Sequence, residues 1–167
     1  MILHCNQKCY IIDHHSSIVE NTLELGRLQE YSDGSIHLFL DRKLPDAIFD
    51  VIPNIVLSLL KQHTIDIKAC LFAVHTGGPK IINGIQQCLN LQEEQLCASW
   101  FCMKKYGNLS GSSNLVVLEH LLRWKYTYKK PICDDVLFPG NFNQYKCIVG
   151  LSFGPGIALE CVLFGLE

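Results

Sequence analysis

Cys70-Leu71-Phe72-Ala73-Val74-His75-Thr76-Gly77-Gly78-Pro79-Lys80 changes character abruptly, and its reading decides the fold. The apolar run Leu71 to Val74 has the length and composition of a buried strand. Gly77 and Gly78 let the backbone turn or approach a ligand closely, and Pro79 suits the first turn of a helix. That helix continues through Ile81, Ile82, Ile85 and Leu89, which share one face at helical spacing. A histidine where such a strand ends can be aimed into a site, although a lone His beside a Gly-Gly turn is more often a hydrogen-bonded turn residue than a catalyst. Upstream, from Pro45 to Lys61, the positions Ile48, Phe49, Ile52, Ile55, Val56, Leu59 and Leu60 repeat at i, i+3, i+4 and i+7 and predict an amphipathic helix. Pro53 lies inside it, lacks an amide donor and crowds the carbonyl of Phe49, which predicts a kink or two abutting helices.

Further from the centre, Tyr10-Ile11-Ile12 and Ile18-Val19 have strand composition interrupted by Asp13-His14-His15-Ser16-Ser17. Ser32-Asp33-Gly34 is a turn signal followed by a strand from Ile36 to Leu40. On the other side, Trp100, Phe101 and Met103 lie in an apolar, helical stretch leading into Tyr106-Gly107-Asn108-Leu109-Ser110-Gly111-Ser112-Ser113. Small residues there surround an asparagine in a tight turn, and Ser112 or Ser113 suits the cap of a helix from Asn114 to Trp124. The run Leu115-Val116-Val117-Leu118 predicts burial on more than one side of that helix. Lys125 to Asn143 reads as an exposed excursion. Cys147 to Leu151 and Ile157 to Phe164, joined by Ser152-Phe153-Gly154-Pro155-Gly156, predict a hairpin. The order of elements is that of an α/β domain with a mixed sheet, packed helices and a C-terminal antiparallel hairpin.

With 167 residues, 49% of them hydrophobic, the sequence fits a single domain with a substantial core. A formal charge of −2 gives no electrostatic reason to expect nucleic acid or an anionic membrane. The absence of a long apolar run and of a signal-like N-terminus leads to a cytoplasmic expectation. Nine cysteines are an odd number for a disulfide framework, and Cys70, Cys147 and Cys161 sit in apolar runs as buried thiols would. Cys5 and Cys9 with His4, His14 and His15 have soft-ligand character but no established zinc spacing, so no metal site is assigned.

His75 in HTGGP, Asn108 in YGNLSGSS and the SFGPG turn at 152–156 occur in an order that resembles the C-terminal half of a type III polyketide synthase, the chalcone and stilbene synthase family. The resemblance runs from about Tyr10 to the C-terminus. It implies half of a thiolase-like fold, in which two similar α/β halves enclose the active site. It implies that His75 and Asn108 are the catalytic histidine and asparagine of an acyltransferase that condenses malonyl-coenzyme A, with loss of carbon dioxide, onto an acyl-coenzyme A starter. No covalently bound cofactor is implied, and coenzyme A thioesters are the substrates. Gly77, Gly78, Pro79 and Lys80 would then run beside the pantetheine arm, and Phe153, Gly154, Pro155 and Gly156 would shape the cavity wall. Leu38 falls near a position where plant members carry a bulky aromatic gate.

In this family the nucleophilic cysteine belongs to the N-terminal half, for which residues 1–167 hold no counterpart. None of the nine cysteines sits in a small-residue strand-to-helix turn. The expectation is a chain inactive alone, completed by an N-terminal half or a full-length synthase subunit in a homo- or hetero-oligomer. A non-catalytic remnant that binds acyl thioesters, and a fragment of the ketoacyl synthase that starts fatty-acid chains, are the alternatives.

Overall fold

Strand β4 (Cys70–Val74) is buried on both faces, with no residue more than 1% exposed. The computed structural model of the chain describes residues 9–126, 140–154 and 156–167. Cys70, Phe72 and Val74 enter one hydrophobic cluster, whereas Leu71 and Ala73 enter another, as the period-2 alternation of a strand requires. β4 pairs in parallel with β5 (Cys147–Gly154), which pairs antiparallel with β6 (Ala158–Leu166), and β6 pairs antiparallel with β1 (Cys9–Ile18). The order β1-β6-β5-β4 is therefore a mixed sheet closed by the antiparallel hairpin read from the sequence. A second sheet, β2 (Gly26–Glu30) with β3 (Ile36–Leu40), makes a separate hairpin around the expected turn at Ser32-Asp33-Gly34.

Helix α1 (Leu44–Gln62) lays Ile48, Ile52, Val56, Leu59 and Leu60 on one face of the larger sheet, beside Ile82 and Ile85 of α2 (Pro79–Cys88). Helix α4 (Ser113–Tyr126) covers the opposite face through Val117 and Leu121. Between these layers α3 (Cys97–Tyr106) runs along the outer edge of β4, where two side chains satisfy backbone groups that a neighbouring strand would otherwise satisfy. Ser99 Oγ accepts from the Val74 N–H at 3.0 Å and donates to the Phe72 carbonyl at 3.2 Å. Gln95 Nε2 donates to the carbonyls of Cys70 at 2.8 Å and Ile67 at 2.9 Å.

Three expectations need correction. Helix α1 passes through Pro53 as one element and not as two abutting helices, because the lost donor removes only one bond of a face held by five buried side chains. The polar run Asp13 to Ser17 does not interrupt β1: its pairing with Leu163 to Leu159 of β6 continues past a register shift between Ile11 and Asp13. Leu115 of α4 is 70% exposed, so that helix buries one side and leaves another open. The excursion beginning at Lys125 falls largely outside the described residues, and its first two residues still belong to α4. Among the described residues, no helix is long and apolar enough to cross a membrane.

Packing of α1 on α2 depends on Gly84. A Cβ built there would lie 1.9 Å from Phe49 Cζ, far inside contact distance of the ring. Alanine has the better helix propensity by about 1 kcal/mol, but the ring must leave its place, and overpacking of this kind costs roughly 1–3 kcal/mol. Gly84→Ala is expected to lower the melting temperature, measured by circular dichroism, and a rise would show that Phe49 gives way freely.

Candidate functional site

The parallel strands β4 and β5 both run toward the same edge of the sheet, and His75 is the first residue beyond β4. In α/β folds this carboxyl edge is where ligands bind. His75 is held there by its main chain: its N–H donates to the Leu151 carbonyl at 2.9 Å, and its own carbonyl accepts from the Gly77 N–H at 2.8 Å. The imidazole lies against Gly77, where an added Cβ would stand 3.1 Å from Cδ2 and 3.4 Å from Nε2. Gly78 takes φ +143°, a conformation L residues avoid, and its carbonyl accepts from Ile81 and Ile82 to start α2. The Gly-Gly pair thus supplies close approach at one position and reversal at the next.

Thr76 connects this histidine to the second motif. Its side chain is buried, and Oγ1 donates to the Gly107 carbonyl at 2.8 Å and lies 3.0 Å from Ser113 Oγ. Ser113 Oγ also accepts from the Leu109 N–H at 3.1 Å. One assignment of protons satisfies every group: Thr76 donates to Gly107, Ser113 donates to Thr76, and Leu109 donates to Ser113. Residues next to His75 and next to Asn108 are therefore tied directly together. Ser113 is the first residue of α4 and turns back to this network, and Ser112 stands at the cap position before it. Asn108 is exposed, and its Oδ1 accepts from the Ser110 N–H at 2.8 Å. That bond engages the oxygen of the carboxamide, whose NH2 group is a donor.

The SFGPG motif starts on the same edge. Leu151, which receives the His75 N–H, immediately precedes Ser152, and Phe153 and Gly154 extend β5 opposite Leu159 and Ala158. Pro155 lies outside the described residues. Gly156 adopts φ +72°, and its N–H donates at 2.6 Å to Gly26 at the base of the β2–β3 hairpin. Leu38 is on that hairpin, 55% exposed, opposite Leu28. Lys80 reaches toward α1, with Nζ 3.4 Å from Asp46 and 3.5 Å from the Arg42 carbonyl. The backbone network thus joins His75, Asn108 and the SFGPG strand at one edge, with Leu38 on the hairpin anchored beside them.

Burial lowers the pKa of His75 from the ordinary 6.5 and favours the neutral imidazole. The unfolded chain then holds the proton more readily than the native one, so stability rises with pH through this window. The contribution is complete above 6.5 and is lost as pH falls through the native midpoint. An NMR titration of the His75 ring is expected to give a midpoint below 6.5, and one at or above that value would contradict it. Burial also pushes the thiols of Cys70, Cys97, Cys102 and Cys161 up to about 12 and raises those of Cys9, Cys88 and Cys147. These described cysteines are protonated at neutral pH and poor nucleophiles. Cys5, Cys133 and His4 lie outside the described residues, and no group of three or more metal-binding side chains occurs among the described ones.

Residues 19–166 match the family described as chalcone and stilbene synthases, C-terminal domain. The chain belongs to the chalcone and stilbene synthase family. It is 33% identical over 147 residues to type III polyketide synthase B of Arabidopsis thaliana, covering 86% of this chain and 34% of that protein. It is 35% identical over 134 residues to polyketide synthase 37 of Dictyostelium discoideum, covering 78% of this chain and 4% of that one. In structure it is similar to PKS-I from the brown alga Ectocarpus siliculosus, with a TM-score of 0.79, 27% identity, and coverage of 95% of this chain and 40% of the algal one. This family member thus has the α/β, thiolase-like architecture and spans well under half the length of these relatives.

Sequence reading singled out His75 and Asn108 as candidates but not the residues that hold their segments. Thr76 registered only as part of the HTGGP motif, and Ser113 and Asn114 only as helix-start residues. Asn114 Nδ2 donates to the carbonyls of Leu151 at 2.7 Å and Ala73 at 3.1 Å, whereas its Oδ1 is buried without a hydrogen-bond partner. An unsatisfied buried acceptor costs roughly 1–3 kcal/mol. A polar residue at the head of an otherwise apolar helical run was the available signal.

Proposed function

We propose that this chain is the acyltransferase half of a type III polyketide synthase, which condenses malonyl-coenzyme A with an acyl-coenzyme A starter once a cysteine-bearing half completes the site. The observation that carries the reading is the Thr76 to Gly107 hydrogen bond, which couples the histidine and asparagine motifs at the sheet edge. In the reaction the bond between the malonyl α-carbon and its carboxylate breaks, carbon dioxide leaves, and the electron pair moves onto the thioester oxygen as an enolate. A ring N–H of His75 and the NH2 of Asn108 are the donors for that oxygen. The enolate carbon then attacks the acyl group on the partner's cysteine and expels the thiolate. His75 has a second role there, since an adjacent thiolate favours the imidazolium and the imidazolium in turn favours the thiolate.

The experiment is co-expression with the cysteine half of a type III synthase, followed by measurement of carbon dioxide release from malonyl-coenzyme A. Release by the pair and not by either half alone supports the proposal; a stable pair without release, binding acyl thioesters only, favours a non-catalytic remnant.

A further inference from the structure

Helix α4 begins with two polar residues, and each holds a group beside His75, Ser113 the Thr76 hydroxyl and Asn114 main-chain carbonyls. Ser113 acts on the following residue, Thr76, at 3.0 Å. Asn114 acts on the preceding side, where its NH2 group bridges the Ala73 carbonyl of β4 and the Leu151 carbonyl of β5. Val74 and Leu151 are the last pair of the parallel ladder, so the bridge falls where the strands stop supporting one another. The Leu151 carbonyl is also the acceptor of the His75 N–H, and Asn114 therefore fixes the atom on which the His75 backbone hangs.

A packing role does not account for this residue. An apolar side chain would fill the same space without burying an oxygen that has no partner. The cost is tolerated at the head of a helix whose next residues, Leu115 to Leu118, are all apolar. Buried polar groups retained against stability mark places where a fixed geometry matters more than a low energy.

We propose that Asn114 is a positioning residue for His75, clamping the ends of β4 and β5 through its carboxamide NH2. The proposal rests on His75 being the functional histidine, but its consequences are read in backbone and ring order and do not require condensation. In the clamped state the His75 N–H is protected and the ring occupies one environment. Without the clamp the strand ends separate more often, while the core beneath them stays closed.

The test uses the full chain, labelled with 15N and with 13C in histidine, as wild type, Asn114→Leu and Asn114→Thr. In Asn114→Leu, hydrogen exchange at the His75 and Thr76 amides should accelerate about fivefold or more, the loss expected for one hydrogen bond. Exchange at Phe72 and Val149 should be unchanged, the His75 ring resonance should shift or broaden, and the melting temperature should hold or rise. Asn114→Thr retains a donor for one carbonyl and should fall between the two; it also carries the test if the leucine variant does not fold. Unchanged exchange at His75, or acceleration shared equally by Phe72 and Val149, would overturn the proposal by reducing Asn114 to a bystander or an ordinary core residue.

Discussion

His75→Ala and Asn108→Ala, each introduced into the chain reconstituted with a cysteine-bearing half, are expected to cut carbon dioxide release from malonyl-coenzyme A by different amounts. In the proposed reaction Asn108 would supply one donor to the enolate oxygen, and loss of one such donor typically costs roughly a hundred- to a thousandfold in turnover. Its Oδ1 is engaged by Ser110, so alanine also frees one local turn, but the motif remains anchored through Gly107 and Leu109. His75→Ala removes a donor and the group that stabilises the thiolate, and its loss should exceed that of Asn108→Ala. If the two act on the same oxygen, as proposed, the double variant should be little worse than His75→Ala alone. Steady-state rates with pre-formed malonyl thioester separate these cases. A double variant whose losses multiply would place the two side chains on different steps, and an active His75→Ala pair would remove this chain from the chemistry.

The same pair reports on charge. In the isolated chain burial lowers the His75 pKa, and a thiolate brought next to the ring reverses that tendency by favouring the charged form. Completion of the site should therefore move the His75 midpoint upward. A serine in place of the partner's cysteine should give no upward move, only the downward change that added burial produces, which distinguishes thiolate pairing from docking alone.

How much of the fold was legible in the sequence depends on how local each determinant is. The β4 strand, the Gly-Gly reversal and the start of α2 are encoded within Cys70 to Pro79, so periodicity and turn chemistry suffice. The β5–β6 hairpin is likewise local to its Gly-Pro-Gly turn. Strand β1 is not, because Asp13 to Ser17 is a strand only by virtue of β6, remote in sequence. Strand β2 went unread for a related reason: Arg27, Gln29 and Glu30 carry little strand propensity, and β3 alone gives them a ladder. At the site, a histidine and an asparagine in small-residue turns were conspicuous. The threonine, serine and second asparagine that hold them were not, since their partners are backbone atoms brought close only by the fold.

The β2–β3 hairpin carries the other large expected effect. Cross-strand pairing of Leu28 with Leu38 and of Glu30 with Ile36 puts Leu28, Ile36, Leu38 and Leu40 on one face, each more than 50% exposed. Isolated surface leucines need no explanation, but a contiguous face of this kind in a two-stranded sheet does. The hairpin is anchored beside the SFGPG strand through Gly26 and Gly156, so whatever covers it also approaches the His75 edge. The chain spans 34% of its Arabidopsis relative and 40% of the algal structure, and the occupant we propose is the cysteine-bearing half invoked in the proposed function. Leu28→Asp with Leu38→Asp should leave the melting temperature of the isolated chain nearly unchanged, since exposed substitutions seldom move stability by more than about 0.5 kcal/mol. Affinity for the cysteine half, measured by calorimetry, should fall by at least about thirtyfold, as it does when centrally placed anchors are lost. Equal affinity in the variant would place the docking surface elsewhere. If wild type sediments as a dimer and the variant as a monomer while affinity for the cysteine half is unchanged, the hairpin covers itself with a second copy and the other half docks on a different face.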